Sequence, residues 1–168
     1  MGPSIKNDSC FVIDTSSIIQ IKQSVPQAHR TTVFQKLTEY VKNELLVYPK
    51  EVLDELEKGT VDQPYLWAKH NAGTATRYGA LFDELKIVMS DPIANKVLDP
   101  TKVGMVEADP HVLALALHLR NSGVEPIVVN DETRSKPNKL SLTQACGALR
   151  LVSLTVEVFL DQENIWRR

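Results

Sequence analysis

Four stretches place an acid where chemistry is possible: CFVIDTSSII around Asp14, DELEKG around Glu55, ADPHVLALA around Asp109 and VVNDE around Asp131. Carboxylates offer oxygen ligands only, and such donors suit Mg²⁺ or Mn²⁺ better than they suit zinc. Gathered in one crevice they repel, and each is driven towards its neutral form unless a cation sits between them. A cation held there activates water and offsets charge on a phosphoryl group, so phosphodiester hydrolysis is the chemistry this set favours.

Elements able to bring these acids together can be read from the apolar pattern. Residues 10–13 form a short apolar run typical of a buried parallel strand, and Asp14 stands at its carboxyl end. Asp14 is equally suited to cap a helix over residues 16–21. Residues 32–43 carry Val33, Phe34, Leu37, Tyr40 and Val41 at helical spacing, and residues 45–48 read as a second strand. Pro49 opens a helix over Lys50–Lys58 that Gly59 stops. On that helix Val52, Leu53 and Leu56 define the buried stripe; Glu55 and Glu57 flank it, while Glu51 and Asp54 point away. Residues 60–104 read as a mostly helical insertion with Trp67, Tyr78, Leu81, Phe82 and Leu85 on its apolar face. Asp109 is a candidate cap for a helix opened by Pro110, closed by Gly123 and apolar nearly all round, as a helix packed on two sides must be. Residues 126–131 repeat the opening pattern, a buried strand running into Asp131, and residues 149–154 and 155–164 read as a last strand and helix.

Alternating strands and helices with apolar strands predict a three-layer α/β fold with a central parallel sheet of four or five short strands. Right-handed crossovers put the strand ends on one edge, so Asp14 and Asp131 are expected to face one crevice, with Asp109 beside it. The 168 residues suffice for one domain, with 43% hydrophobic and 24% charged residues as in ordinary globular chains. A net charge of -2 excludes a uniformly basic coat, so any nucleic-acid contact needs a local patch. Cys10 and Cys146 lie in apolar segments without metal-ligand spacing, as expected of core thiols in a reducing cytoplasm. No run is long enough to span a membrane, residues 1–7 lack the apolar core of a signal peptide, and Lys6 stands where a myristoylation motif needs Ser or Thr. A soluble cytoplasmic protein is expected.

The four stretches, in this order and at these separations, resemble PIN-domain ribonucleases, and ADPHVLALA with DELEKG is most similar to a divergent bacterial branch. The resemblance covers most of the chain, most weakly residues 60–104. It implies a single PIN-like domain over residues 1–168 with Asp14, Glu55, Asp109 and Asp131 as catalytic metal ligands for Mg²⁺ or Mn²⁺. Thr15 and Ser16 resemble the hydroxyl residues that orient the first acid. The family often has Thr or Ser just before the last acid; Asn130 stands there instead, which leaves open whether Asp131 binds metal directly, and Glu132 is an alternative donor. The implied activity is a metal-dependent endoribonuclease, as the toxin of a type II toxin-antitoxin pair, with an antitoxin partner and a homodimer. An RNA-processing nuclease without a toxin role, or a non-catalytic RNA- or protein-binding module on the same fold, would carry the same acids or their remnants. A phosphatase with Asp14 as nucleophile is disfavoured because Ser16 stands where its second aspartate belongs.

Arg134, Lys136 and Lys139 follow Asp131 closely and are candidates to hold RNA phosphates. A shallow acidic crevice suits single-stranded or looped RNA better than a duplex. His111 and His118 share a helix face about two turns apart, wider than the spacing of helical zinc pairs, and are read as non-ligating.

Overall fold

The computed structural model describes residues 8–168, and the amino-terminal segment on which the leader and myristoylation expectations rest lies outside the described residues. Strands β1 Ser9–Ile13, β2 Leu46–Val47, β3 Glu125–Val129 and β4 Val152–Leu154 form one all-parallel sheet in the order β2-β1-β3-β4. Between β1 and β2 lie α1 Thr15–Ser24 and α2 Gln27–Lys42. The β2-to-β3 crossover carries α3 Lys50–Lys58, α4 Gln63–Ala75, α5 Phe82–Ser90, a 3₁₀ turn Ala94–Val97 and α6 Asp109–Asn121. After β3 come α7 Leu142–Ala148, β4 and α8 Val156–Gln162.

Side chains alternate along a strand, and this sorts the layers. Phe11 meets the rings of Tyr40 on α2 and Phe159 on α8, with centroids 6.4 and 4.5 Å apart. That face is covered by α2 and α8, with α1 packed beside α8. The opposite face, to which Val12 points, is covered by α6 across β1 and β3 and by α7 beside β4. As expected of a helix packed on two sides, Val112 to Leu117 and Leu119 are all buried, and α5 lies over α6. The α6 chain end turns at Gly123, whose φ of 84° is open to glycine at little cost, and Gly123 N-H donates to Arg120 O.

Several boundaries differ from the sequence reading. Residues 60–104 are not one unit: α4 packs on α2, α3 and β2, whereas α5 and the 3₁₀ turn pack on α6 and α7. Tyr65 and Trp67 are buried in that packing, but Phe82, expected on the apolar face, is 77% exposed. Helix α2 starts earlier than residue 32, directly after Pro26. Helix α7 fills a stretch left without structure, and residues 149–151 form a turn with Arg150 at φ 56° rather than the start of a strand. Cys10 and Cys146 are buried free thiols, as expected. Among the described residues no helix is long and apolar enough to cross a membrane.

Candidate functional site

The chain goes from β1 outwards to β2, then returns across to β3 on the other side of β1. The sheet's topological switch point therefore lies between β1 and β3, and ligands of open α/β sheets bind outside the carboxyl ends of the strands at such a point. Asp14 follows β1 there, with its N-H donating to Val129 O at 2.9 Å.

Asp14 stands at the carboxyl end of β1 and caps α1, as its position suggested. Its Oδ2 accepts from Ser16 N-H at 3.2 Å, capping α1, and from the Ser16 hydroxyl at 2.8 Å. Its Oδ1 is buried with no hydrogen-bond partner, and the residue is only 2% exposed. Burial foremost, then the charges of Asp109 and Glu55, push its carboxyl up to about 7. Thr15 is buried as well, and its hydroxyl has no partner.

Asp109 is not the cap of α6. It is the first residue of the helix, and the carboxylate that accepts the N-H just before it belongs to Glu55 on α3, whose Oε1 takes Ala108 N-H at 2.6 Å. Burial raises the Glu55 pKa, against the bond from Ala108. Of the two acids that helical spacing left open, Glu55 thus faces the cluster, while Glu57 accepts from the Tyr65 hydroxyl at 3.2 Å. Asp109 is 8% exposed and its Oδ2 accepts from Lys139 Nζ at 2.7 Å. Lys139 also binds Glu132. Burial and the charge of Asp109 raise the Glu132 pKa despite that partner.

Asp131 is the acid that the fold does not bring in. Its Oδ2 accepts from the Ser17 hydroxyl and from Val156 N-H at 3.2 Å, tying the end of β3 to α1 and to the start of α8. Register explains why. Ile13 pairs with Val129, so Asn130 is level with Asp14 and shares its face, whereas Asp131 is one residue out of phase and points to the α1 and α8 layer. Glu132 returns to the α6 face, so the donor held as an alternative is the one that joins the cluster. Both ends of the Asn130 side chain are engaged: it is fully buried, its amide donates to Ser153 Oγ at 2.6 Å, and its Oδ1 accepts from Thr143 Oγ1 at 3.0 Å.

Beside Glu55, Asp109 and Glu132 lies a cleft of about 120 Å³, lined also by Asp99, Glu107, Lys102, Lys136 and Lys139; Asp14 is not among its lining residues. Asp99, Lys102 and Glu107 were not singled out in the sequence, because they sit on an irregular loop where no periodicity marks a facing side. Of the three basic residues expected at RNA phosphates, Lys136 lines the cleft, Lys139 is engaged by carboxylates, and Arg134 is exposed outside it. A larger cleft, of about 340 Å³, lies at the amino ends of β3 and β4 beside Arg120 and Arg150, on the opposite edge from the acids. The histidines do not converge: His111 faces Glu51 at 3.4 Å, so Glu51 does not simply point to solvent, and His118 faces Glu84 at 2.9 Å.

The family model described as Domain of unknown function (DUF4411) matches residues 11–166, a span that includes every acid named above. The chain belongs to the DUF4411 family. No curated protein and no solved structure matches it. Within this DUF4411 chain the donor set suits a hard cation in kind: oxygen ligands throughout, one of them, Asp14 Oδ1, buried and unsatisfied. In spacing the set is not closed, since among the described residues no three His, Cys, Asp or Glu side chains stand close enough together to complete a metal site.

Proposed function

We propose that this DUF4411 chain is a divalent-metal-dependent endoribonuclease, with Asp14, Glu55 and Asp109 as its principal acids and Glu132 in the place expected for Asp131. The observation that carries the reading is the burial of Asp14 beside Asp109 and Glu55 at the switch point, with one carboxylate oxygen left without a partner. Leaving a buried carboxylate oxygen unsatisfied costs about 1–3 kcal/mol, which a bound cation would offset. A bound Mg²⁺ or Mn²⁺ would supply water activation and neutralise phosphoryl charge.

The chain's own residues do the rest. Ser16 fixes Asp14 through two hydrogen bonds to one oxygen and leaves the other without a partner. Glu55 takes the Ala108 N-H, while Asp109, the first residue of α6, accepts from Lys139. Lys136 on the rim is placed to hold a phosphate of an approaching strand, and so is Lys102. Resemblance to PIN-domain toxins supports a toxin role, with an antitoxin partner and a homodimer; arrested growth on expression, relieved by the product of a neighbouring gene, would test it.

The test of the chemistry is cleavage of a mixed pool of structured and unstructured RNA with Mg²⁺ or Mn²⁺, by wild type, Asp14→Asn and Asp109→Asn. Metal-dependent cutting that falls at least about a hundredfold in both folded variants is expected. Folded wild type that binds RNA and cuts none of the pool would replace the enzyme with a binding module.

A further inference from the structure

We propose that Lys139 is the resident cation of the acid cluster, holding Asp109 and Glu132 together until a divalent metal ion displaces its ammonium group. This rests on the metal-dependent reading above and goes beyond it, because it assigns a lysine to the metal position.

Three observations converge. The Lys139 side chain is only 10% exposed, and its Nζ sits between Asp109 Oδ2, at 2.7 Å, and Glu132 Oε1. An ammonium group is a compact point charge with three donors, so it can neutralise two carboxylates where a divalent ion would bind both. Secondly, Lys139 completes only half of the cluster: Asp14 Oδ1 remains buried and without a partner. A larger charge that reached Asp14 and Asp109 together would satisfy what the ammonium leaves undone. Thirdly, the lysine can leave without disturbing the core. It ends a tight turn in which Lys136 and Lys139 exchange backbone hydrogen bonds of 2.9 and 3.2 Å. Residues 136–138 are exposed, and the turn is anchored separately, by Ser141 N-H to Ser135 Oγ at 2.8 Å and Leu140 N-H to Lys96 O at 2.7 Å. Lys102 and Lys136 line the same cleft but form no ion pair among the described residues, so the role is specific to Lys139.

Calorimetric titration with Mn²⁺ tests the displacement directly, on wild type, Lys139→Met, Lys139→Gln and Lys136→Met, beside thermal melts with and without EDTA. Removing the competing cation should tighten Mn²⁺ binding roughly ten- to a hundredfold in both Lys139 variants. Their metal-free forms should melt below wild type, and their gain in melting temperature on adding Mn²⁺ should be larger. Lys136→Met should change the affinity less than about threefold, as expected of a partly solvated charge. In wild type, Mg²⁺ should move the NMR signal of the Lys139 side chain to that of a solvated lysine, a readout that needs no variant to fold. Equal or weaker Mn²⁺ binding by folded Lys139 variants, or a Lys139 signal unmoved at Mg²⁺ saturation, would overturn the proposal. If RNA is still cut in that case, the nuclease reading stands without it. Absence of Mn²⁺ binding in every form, Lys139 variants included, would overturn both.

Discussion

Two strand ends that look alike in sequence end in opposite ways. At β1 an apolar run enters Asp14 and then Thr15 and Ser16; at β3 an apolar run enters Asn130 and then Asp131 and Glu132. Asp14 is buried beside other acids with one oxygen unspent. Asp131 is committed to Ser17 and Val156, and fastens β3 to the opposite layer. The lesson is that a carboxylate at a strand's carboxyl end is classified by which face it occupies. A stabilising clamp and a buried acid with an unpartnered oxygen can stand at neighbouring strand ends.

The sharpest form of that contrast is pH dependence. Asp14 has a folded-state pKa of about 7, above its unfolded value, so the folded protein holds a proton that the unfolded chain has released between about pH 4 and 7. Its contribution to stability is therefore fully present below about pH 4 and is lost as pH rises through about 7. Asp14→Asn removes the titration. Denaturant unfolding should show the variant gaining on wild type as pH is raised from 4.5 to 7.5, by on the order of 2–4 kcal/mol without metal. Mn²⁺ should flatten the wild-type curve. A difference between the two proteins that stays constant across this range would remove the distinction between the strand ends.

Asp131→Ala should act in the other direction, destabilising the protein. It leaves the Ser17 hydroxyl and the Val156 N-H without their acceptor, a loss of about 1–3 kcal/mol. Among molecules still folded, RNA cleavage should fall far less than in Asp14→Asn. Cleavage abolished in a fully folded Asp131→Ala protein would return Asp131 to the site and displace Glu132 from it.

Most of the scaffold was legible because its signals are local. Apolar runs marked the strands, Pro110 and Gly123 bracketed α6, and the unbroken apolar surface of α6 told that it is covered on both sides. Helix α7 was missed since its seven residues include Gly147 and span about two turns, too few to show a period; only Ser141, whose hydroxyl accepts Gln144 N-H, marked its start. The site was legible in residue types but not in facing. Which of Asn130, Asp131 and Glu132 shares a side with Asp14 depends on the pairing of Ile13 with Val129, a long-range register that neither strand reveals alone. Nor could spacing show that Glu55 would reach across from α3 to cap α6, since capping is usually sought within the helix's own chain.

The smallest expected effects on stability are on α3, which carries that borrowed cap. Glu55→Ala deprives the Ala108 N-H of its partner, which should destabilise the fold by about 0.5–2 kcal/mol, the usual range for losing an N-terminal cap. Burial raises the Glu55 pKa, so its removal also relieves some charge in the cluster, and the net loss should lie at the low end. Glu57→Ala removes only the bond from Tyr65, and should change stability by about 0.5 kcal/mol or less. On the same helix, then, the pair should separate in activity much more than in stability. Folded Glu55→Ala should lose most metal-dependent cleavage, and Glu57→Ala should keep nearly all of it. Equal activities in the two variants would mean that Glu55 serves α6 alone and that the acid cluster works through Asp14, Asp109 and Glu132.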